Sequence, residues 1–297
     1  MTMSRRPLRF GWVDLAVLTA VGAFTVYIAY RMNTVLNYRW GWSQVLQFIL
    51  RWDDAQQRWV ANLLLQGLFT TIRLAVWGIL LAAVVGFGMG MARVSRRLLP
   101  RLIGGTYVEF VRNIPPLVFM FIFYFFFSSQ LMPLLGLDRL LAKASPMALS
   151  IASLLFGEPK LIPNFVSGLV CLALFEGAYV TEIVRAGIES IEKGQWEAGA
   201  SLGLSRARLM RLVILPQAVQ RIVPPLAGQF ITLIKTSSIV SLISVQELTF
   251  LTGEVAVSTS RIFEVWIVAA GFYFIVCFSL SILFSRLEAR LAQPYAR

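Results

Sequence analysis

Long apolar runs separated by short basic blocks set the pattern of this chain. Crossing the hydrocarbon core of a bilayer as a helix takes about 20 mostly apolar residues. Six stretches meet that length, near residues 12–30, 68–92, 114–135, 161–181, 223–246 and 263–285. Lipid offers no partner for backbone N–H and C=O groups, so such runs are satisfied there only as helices. The expected fold class is therefore all-α, a polytopic membrane protein with about six transmembrane helices.

The segments between the runs are less uniform. Pro146, Gly157 and Pro159 interrupt 136–160, which reads as a short re-entrant or surface helix. Residues 31–59 are rich in Trp, Gln, Arg and Asp, and read as an interfacial segment with Trp40, Trp42, Trp52 and Trp59 at headgroup depth. The basic opening followed by an apolar run has the form of a secretory signal. However, the run from Trp12 to Tyr30 is long, and Arg31-Met32-Asn33 follow it where a small-residue cleavage site would stand, so it reads as a retained helix.

Composition agrees with the pattern. The chain is 58% hydrophobic and only 14% charged, against about a quarter charged in soluble domains. The net charge of +12 invites a nucleic-acid reading, but the basic residues sit in blocks between apolar runs, and no nucleic-acid-binding motif accompanies them. Placed on topology, they orient the chain. With the N-terminus cytoplasmic, the inside segments hold Arg5, Arg6 and Arg9, the group from Arg93 to Arg112, the group from Arg185 to Arg221, and Arg286, Arg290 and Arg297. These are roughly twice as many Lys and Arg as the outside segments carry, which places both termini inside. The two cysteines, Cys171 and Cys277, lie in apolar runs and read as packing residues. Histidine is absent, which removes the commonest metal ligand and general base, and no metal site or catalytic residue is expected. No GxxxxGK[ST] segment occurs, so the chain is not itself a P-loop ATPase and binds no cofactor.

One loop stands apart. Residues 185–224 are too polar to span and too patterned to be a linker. A first short helix is expected over 190–202, with Gly203 where a left-handed C-terminal cap falls. Ser205 is a natural N-cap for a second helix over 206–214, ended by Pro216. Leu209, Leu212 and Val213 would share one face of it, with Arg208 and Arg211 turned away. Such an amphipathic hairpin needs either a partner surface or the membrane interface, and on physical grounds alone the two are level.

Gly194-Gln195-Trp196-Glu197-Ala198-Gly199-Ala200-Ser201-Leu202-Gly203, followed by Ile214-Leu215-Pro216-Gln217, resembles the EAA loop of ABC-importer permeases. The third position of the Glu-Ala-Ala triplet is Gly199 here. Further motifs match the polar amino acid uptake branch in order: Gly67 to Ile72, Ala92 to Ser95, Tyr107 to Val118, Ala178 to Gly187, Pro224-Pro225-Leu226 and Lys235-Thr236-Ser237-Ser238. Thr236 stands where that family usually has an acidic residue. The resemblance covers 67–290 and implies a five-helix type I importer core with a coupling-helix hairpin at about 190–217. Residues 1–66 would add an N-terminal transmembrane helix and a periplasmic interfacial segment, and 291–297 a cytoplasmic tail. It further implies two ATP-binding cassette subunits using ATP and Mg, a second permease subunit, identical or homologous, and a periplasmic amino-acid-binding protein. Gly194, Glu197, Ala198, Gly199, Gly203, Leu215 and Pro216 would couple the chain to the ATPase.

Ionisable residues inside a membrane are costly and face a pathway or a partner. Glu176 and Lys235 read as the two deepest, on spans of opposite direction. Either Glu176 meets a substrate's positive group, with Lys235, Thr236, Ser237 and Ser238 along the same path, or Glu176 and Lys235 form a structural ion pair, the reading weighted more heavily. Glu182 and Arg185 read as an architectural pair. Gly86-Phe87-Gly88-Met89-Gly90 reads as a helix-packing stripe, and Phe119 to Phe127 as lipid-facing or packing surface. A secondary transporter or channel not coupled to ATP is the alternative, although no internal repeat supports the first and a helical hairpin is unexplained by the second.

Overall fold

The computed structural model describes residues 11–34 and 38–291. Arg5, Arg6, Arg9 and the tail beyond Leu291, which the topology reading uses, lie outside the described residues. Two compact units divide the chain at Ser43 and Gln44. In the first, helix α1 (Trp12–Thr34) covers the first expected span, and Trp40 stacks on Trp42 with ring centroids 5.7 Å apart.

The second unit opens with the short helix α2 (Trp42–Leu46), whose last residues fall in it, and then a β-hairpin. Strand β1 (Leu50–Asp53) pairs antiparallel with β2 (Arg58–Ala61), and Trp52 stands opposite Trp59. This hairpin was not legible as such. Its turn is set by Asp53, whose Oδ1 accepts from the backbone N–H of Ala55 (3.0 Å) and Gln56 (3.3 Å), with Gln57 at φ 48°. Asn62 then caps α3 (Leu63–Arg93), accepting from Leu63 N while its amide donates to the Gln47 carbonyl.

Helix α3 makes its most extensive contact with α9 (Ile162–Glu189). Gly78, Ala82, Gly86 and Gly90 fall four apart on its buried face. A Cβ at Gly86 would stand 2.5 Å from Val180 Cβ, and one at Gly90 2.6 Å from Val184 Cγ1. The two backbones therefore approach closely only because these positions are glycine, the packing role expected of that stripe. Gly88 meets nothing.

The third expected span, 114–135, is joined at a sharp bend to a helix that precedes it, in the form of a broken span or a re-entrant loop. Helix α4 (Leu98–Arg112) and the run beginning with α5 (Pro116–Ile122) meet at 111°. Pro115 and Pro116 break the chain between them. Arg101, Glu109 and Arg112 lower the hydropathy of α4, which is why it did not read as part of a span. Beyond α5 a π-helical turn (Phe123–Ser128) leads to α6 (Ser129–Leu135). Phe119 and Phe123 are buried while Phe125 and Phe126 are exposed, so the aromatic run divides between packing and outward surface.

Residues 136–160 hold α7 (Leu137–Ala142) and α8 (Pro146–Phe156). Pro146 starts α8 rather than breaking it, because a first-turn residue needs no N–H partner, and the Ser145 hydroxyl accepts from Ala148 N (3.2 Å). At the other end the Arg73 Nε donates to the Leu154 carbonyl (3.0 Å) and the Trp77 indole to that of Leu155 (3.2 Å), supplying partners for terminal carbonyls. This is where Arg73, a charge within a span, finds its partner.

After α9 come α10 (Lys193–Ser201), α11 (Arg206–Leu209), a π-helical turn (Met210–Ile214) and α12 (Leu215–Thr236). A 3-10 turn (Ser237–Ile243) follows, then α13 (Leu248–Thr259) and α14 (Ile262–Leu291). Among the described residues, five helices are long and apolar enough to span, or six with the bent pair counted as one. Pro216 does not end the second short helix: the chain is helical from Arg206 to Ile243. The π turn just before Pro216 relaxes the i to i−4 pattern that a proline would violate. Pro224 and Pro225 also lie inside α12.

Candidate functional site: a helical hairpin and a buried carboxylate

Helix α10 ends at Ser201 with Leu202 as its C-cap, and Gly203 follows at φ +73°, the left-handed turn expected there. Gly199 is buried against Leu209 of α11, so close that an added Cβ would fall on the leucine side chain. That explains glycine at the third triplet position: it lets α11 fold back onto α10. Gly194, Glu197 and Ala198 are exposed on α10, Leu215 is half-buried, and Pro216 is exposed in the first turn of α12.

The expected apolar face of the second helix is corrected. Leu209 is buried, but Leu212 is 63% exposed and Val213 only half-buried; Met210 and Ile214 take the inner positions. The π turn over Met210–Ile214 adds a residue per turn and rotates Leu212 outward. Arg208 and Arg211 are exposed as expected.

Several contacts fix the hairpin to the bundle. Arg206 Nη2 donates to the Val94 carbonyl beyond α3 (3.3 Å), Gln217 Nε2 to Gln195 Oε1 (3.2 Å), and Arg221 to the Ser190 carbonyl. Beside it, Glu182 gathers cations from three helices: Arg93 at 2.8 Å, Arg185 at 2.9 Å and Arg112 at 3.9 Å. Arg185 also pairs with Glu189, and the Arg112 guanidinium lies 5.3 Å from the centroid of the Tyr179 ring. The pair Glu182–Arg185 is thus part of a clamp joining α3, α4 and α9 at the hairpin's end. A half-buried network of this kind holds better than an isolated surface pair.

Glu176, in the middle of α9, is buried, and its partner is not Lys235. The Gln229 amide donates to its carboxylate, and Thr236 lies nearby with its hydroxyl donated to the Thr232 carbonyl. Gln229 and Thr236 are seven residues apart, about two turns of one helix face. Lys235 is rotated off that face, is exposed, and lies near Cys277 of α14. No ion pair joins it to Glu176 among the described residues, so the structural-pair reading is overturned. Ser237 and Ser238 turn their hydroxyls to the Ile234 and Lys235 carbonyls (2.7 Å each), while Thr236 bonds the Thr232 carbonyl at 3.0 Å.

Glu176 is not alone in its burial. Glu247 and Glu264 are fully buried. Glu247 caps α13, accepting from Phe250 N (2.9 Å), the Thr71 hydroxyl (3.2 Å) and the Tyr273 hydroxyl (2.9 Å). Sequence reading passed over it because it lies between two expected spans. The available signal was an acidic residue at the head of the apolar stretch 248–259, an N-cap position.

The chain matches the family described as "Binding-protein-dependent transport system inner membrane component" over residues 76–293. It is 32% identical to the probable glutamine ABC transporter permease protein GlnM of Bacillus subtilis, covering 79% of this chain and 95% of that protein. It is 34% identical to the glutamine transport system permease protein GlnP of Escherichia coli, over 77% and 93% of the two chains. Among solved structures it resembles one titled as a crystal structure of an amino acid ABC transporter with histidines, with a TM-score of 0.61 and 32% identity over 77% of this chain and 94% of that one. With five to six membrane-spanning helices and a family match over most of its length, this chain is a multi-pass membrane protein and belongs to the family of binding-protein-dependent transport system inner membrane components.

Proposed function

We propose that this chain is the pathway-forming permease subunit of an ATP-driven importer of polar amino acids. The observation that carries the reading is the α10–α11 hairpin: a surface-exposed helix on a positive-φ glycine hinge, tied to the ends of α3 and α12, in a chain without a nucleotide motif of its own. It is built to receive motion from another protein, as the EAA loop of its relatives' family implies. Relatives named for glutamine transport, and an L-cystine transport system permease protein TcyB of Bacillus subtilis at 32% identity, support an amino acid as substrate. The proposed assembly has two ATP-binding subunits, which use ATP and Mg, a second permease subunit, and a periplasmic amino-acid-binding protein. It lies in a bacterial inner membrane with both termini and the hairpin cytoplasmic, as the Lys and Arg distribution favours. Family membership leaves the uncoupled transporter or channel without support.

Within the path, Glu176 is proposed as the polar contact point. A carboxylate held by one amide, with no cation among the described residues, has lone pairs left to accept from a substrate ammonium or guanidinium group. The test of the whole reading is reconstitution with the ATP-binding and solute-binding subunits in liposomes. Uptake of labelled amino acid should require ATP and the binding protein, and Gly203→Val should abolish it while ATP hydrolysis persists. A β-branched residue at φ +73° is strained by about 1–2 kcal/mol, enough to reset the hinge without unfolding the bundle. Uptake driven by an ion gradient alone would overturn the reading.

A further inference from the structure

A cleft of about 770 Å³ lies between the turn joining α3 to α4 and the α10–α11 hairpin. One wall carries Arg96 and Arg101, the other Lys193, Trp196 and Arg206. The cleft's remaining cation, Arg93, is paired with Glu182, and its Glu189 with Arg185. Arg96, Arg101 and Lys193 have no carboxylate partner among the described residues, and Arg206 bonds only the Val94 carbonyl. Arg96 and Arg206 stand near enough for their charges to repel. Against these four cations the cleft sets one uncommitted carboxylate, Glu197. Arg101 also lies in the first turn of α4, where the helix dipole disfavours a cation, and that turn has no side-chain cap. So much uncompensated like charge around one cavity calls for an anion.

The surroundings narrow its chemistry. Leu98, Leu99, Leu102 and Ile103 of α4 are all at least half exposed beside the cleft. Their spacing puts them on one face of the helix. A basic cleft flanked by an exposed apolar helix face at the end of a span suits an amphiphile with an anionic head. The volume also exceeds what a bare phosphate fills and lies within the range of sites for larger ligands, about 300–1,000 Å³.

We propose that this cleft binds the phosphate-bearing headgroup of an anionic phospholipid, so that the lipid bridges the α3–α4 turn to the hairpin. The site rests on this chain's own residues, whatever solute crosses. Basic side chains would grip the phosphate while the acyl chains run along α4. Because α10 forms one wall, occupancy would stiffen the hairpin against the bundle.

The full-length chain, purified in neutral detergent, should be titrated with short-chain phosphatidylglycerol, short-chain phosphatidylcholine and inorganic phosphate. Trp196 fluorescence, isolated by difference against Trp196→Phe, reports the cleft. Phosphatidylglycerol should saturate, and the double variant R96Q/K193Q should raise its midpoint at least tenfold. Neither side chain makes a hydrogen bond or ion pair among the described residues, so this variant should melt like the parent, and R101Q provides a second, independent variant with a smaller shift. Phosphatidylcholine should bind at least tenfold more weakly. Saturation by inorganic phosphate at the same midpoint would overturn the lipid assignment in favour of a free phosphate. Equal binding of both lipids, or a midpoint unchanged in R96Q/K193Q and R101Q, would overturn the site. So would absence of any binding, above all if R96Q/K193Q instead loses a co-expressed ATP-binding subunit, which would make the cleft a protein interface.

Discussion

Glu176 and Glu247 are glutamates buried in the same bundle, yet they are held in different ways. Glu247 accepts from α13, α3 and α14 at once, and its partners are themselves paired: Leu248 N donates to the Thr71 hydroxyl (3.1 Å), and Thr249 and Tyr273 hydroxyls lie 2.9 Å apart. The start of α13 is pressed so close that a Cβ on Gly67 would stand 2.8 Å from Leu248 Cα. Among the described residues, Glu176 is bonded by Gln229 of α12 and by no other element. A carboxylate claimed by three elements is a fastening, and its lone pairs are committed. One held by a single helix has capacity for a further donor, and a small movement of that helix uncovers it. Burial alone does not separate these two carboxylates; the number of elements that hold each one does.

The largest expected effect follows from cutting the fastening. Glu247→Ala removes an N-cap, worth about 0.5–2 kcal/mol. It also strands buried hydroxyls of Thr71 and Tyr273, at about 1–3 kcal/mol each where no water replaces the carboxylate. The loss should be on the order of 4 kcal/mol, read as a drop in melting temperature and in the monodisperse fraction after detergent extraction. Glu247→Gln should recover part of it, because the amide oxygen still accepts from Phe250 N. A Glu247→Ala protein that melts like its parent would erase the distinction between the two carboxylates.

Glu176→Gln should do the converse. The new amide can still pair with Gln229, so melting should change little. If the carboxylate reads a substrate cation, losing a charge-assisted hydrogen bond costs about 1.5–3 kcal/mol. The half-saturating concentration for uptake of a cationic amino acid should then rise roughly tenfold to a hundredfold, with a smaller rise for a neutral one. Destabilisation as large as that of Glu247→Ala, with uptake by the surviving protein unchanged, would make Glu176 a second fastening.

Much of this was legible in the chain, for a physical reason. A span must be long and apolar whatever it packs against, so all six expected stretches carry helix, and the Gly86–Gly90 spacing announces a close contact even though its partner, α9, is not identified by the spacing. Gly203 was legible because a left-handed cap has a residue preference of its own. What was lost lies where tertiary context overrides local pattern. Three charges in α4 hid the helix that leads into the third expected stretch. A π turn displaced Leu212 from the face a regular helix assigns it, and made room for Pro216 within a helix. The β-hairpin rests on an Asp53 turn too short to stand out in a tryptophan-rich stretch. Glu247 escaped notice because its partners, Thr71 and Tyr273, come from positions remote along the chain.

The smallest effect is expected at Lys235, and it tests the comparison from the other side. Depth along two antiparallel spans matched Glu176 with Lys235, but helix phase separates them. Thr236 and Gln229 share the face toward α9, whereas Lys235 lies about 100° around the helix on an exposed face. Lys235→Met should therefore leave melting within about 0.5 kcal/mol of the parent, as for surface changes that break no contact. More telling is the double variant with Glu176→Gln. A buried pair broken from one side costs about 3–5 kcal/mol, and removing the second charge restores much of it. Groups that do not interact give additive effects within about 0.3–0.5 kcal/mol. Additivity in melting, together with a half-saturating concentration set by Glu176→Gln alone, is the expected result. A coupling above about 1 kcal/mol would mean that the two charges meet in another state of the transport cycle, where α12 has turned on its axis. Glu176 would then be held by a cation when no substrate is bound, and the freedom that separates it from Glu247 would belong to this conformation alone.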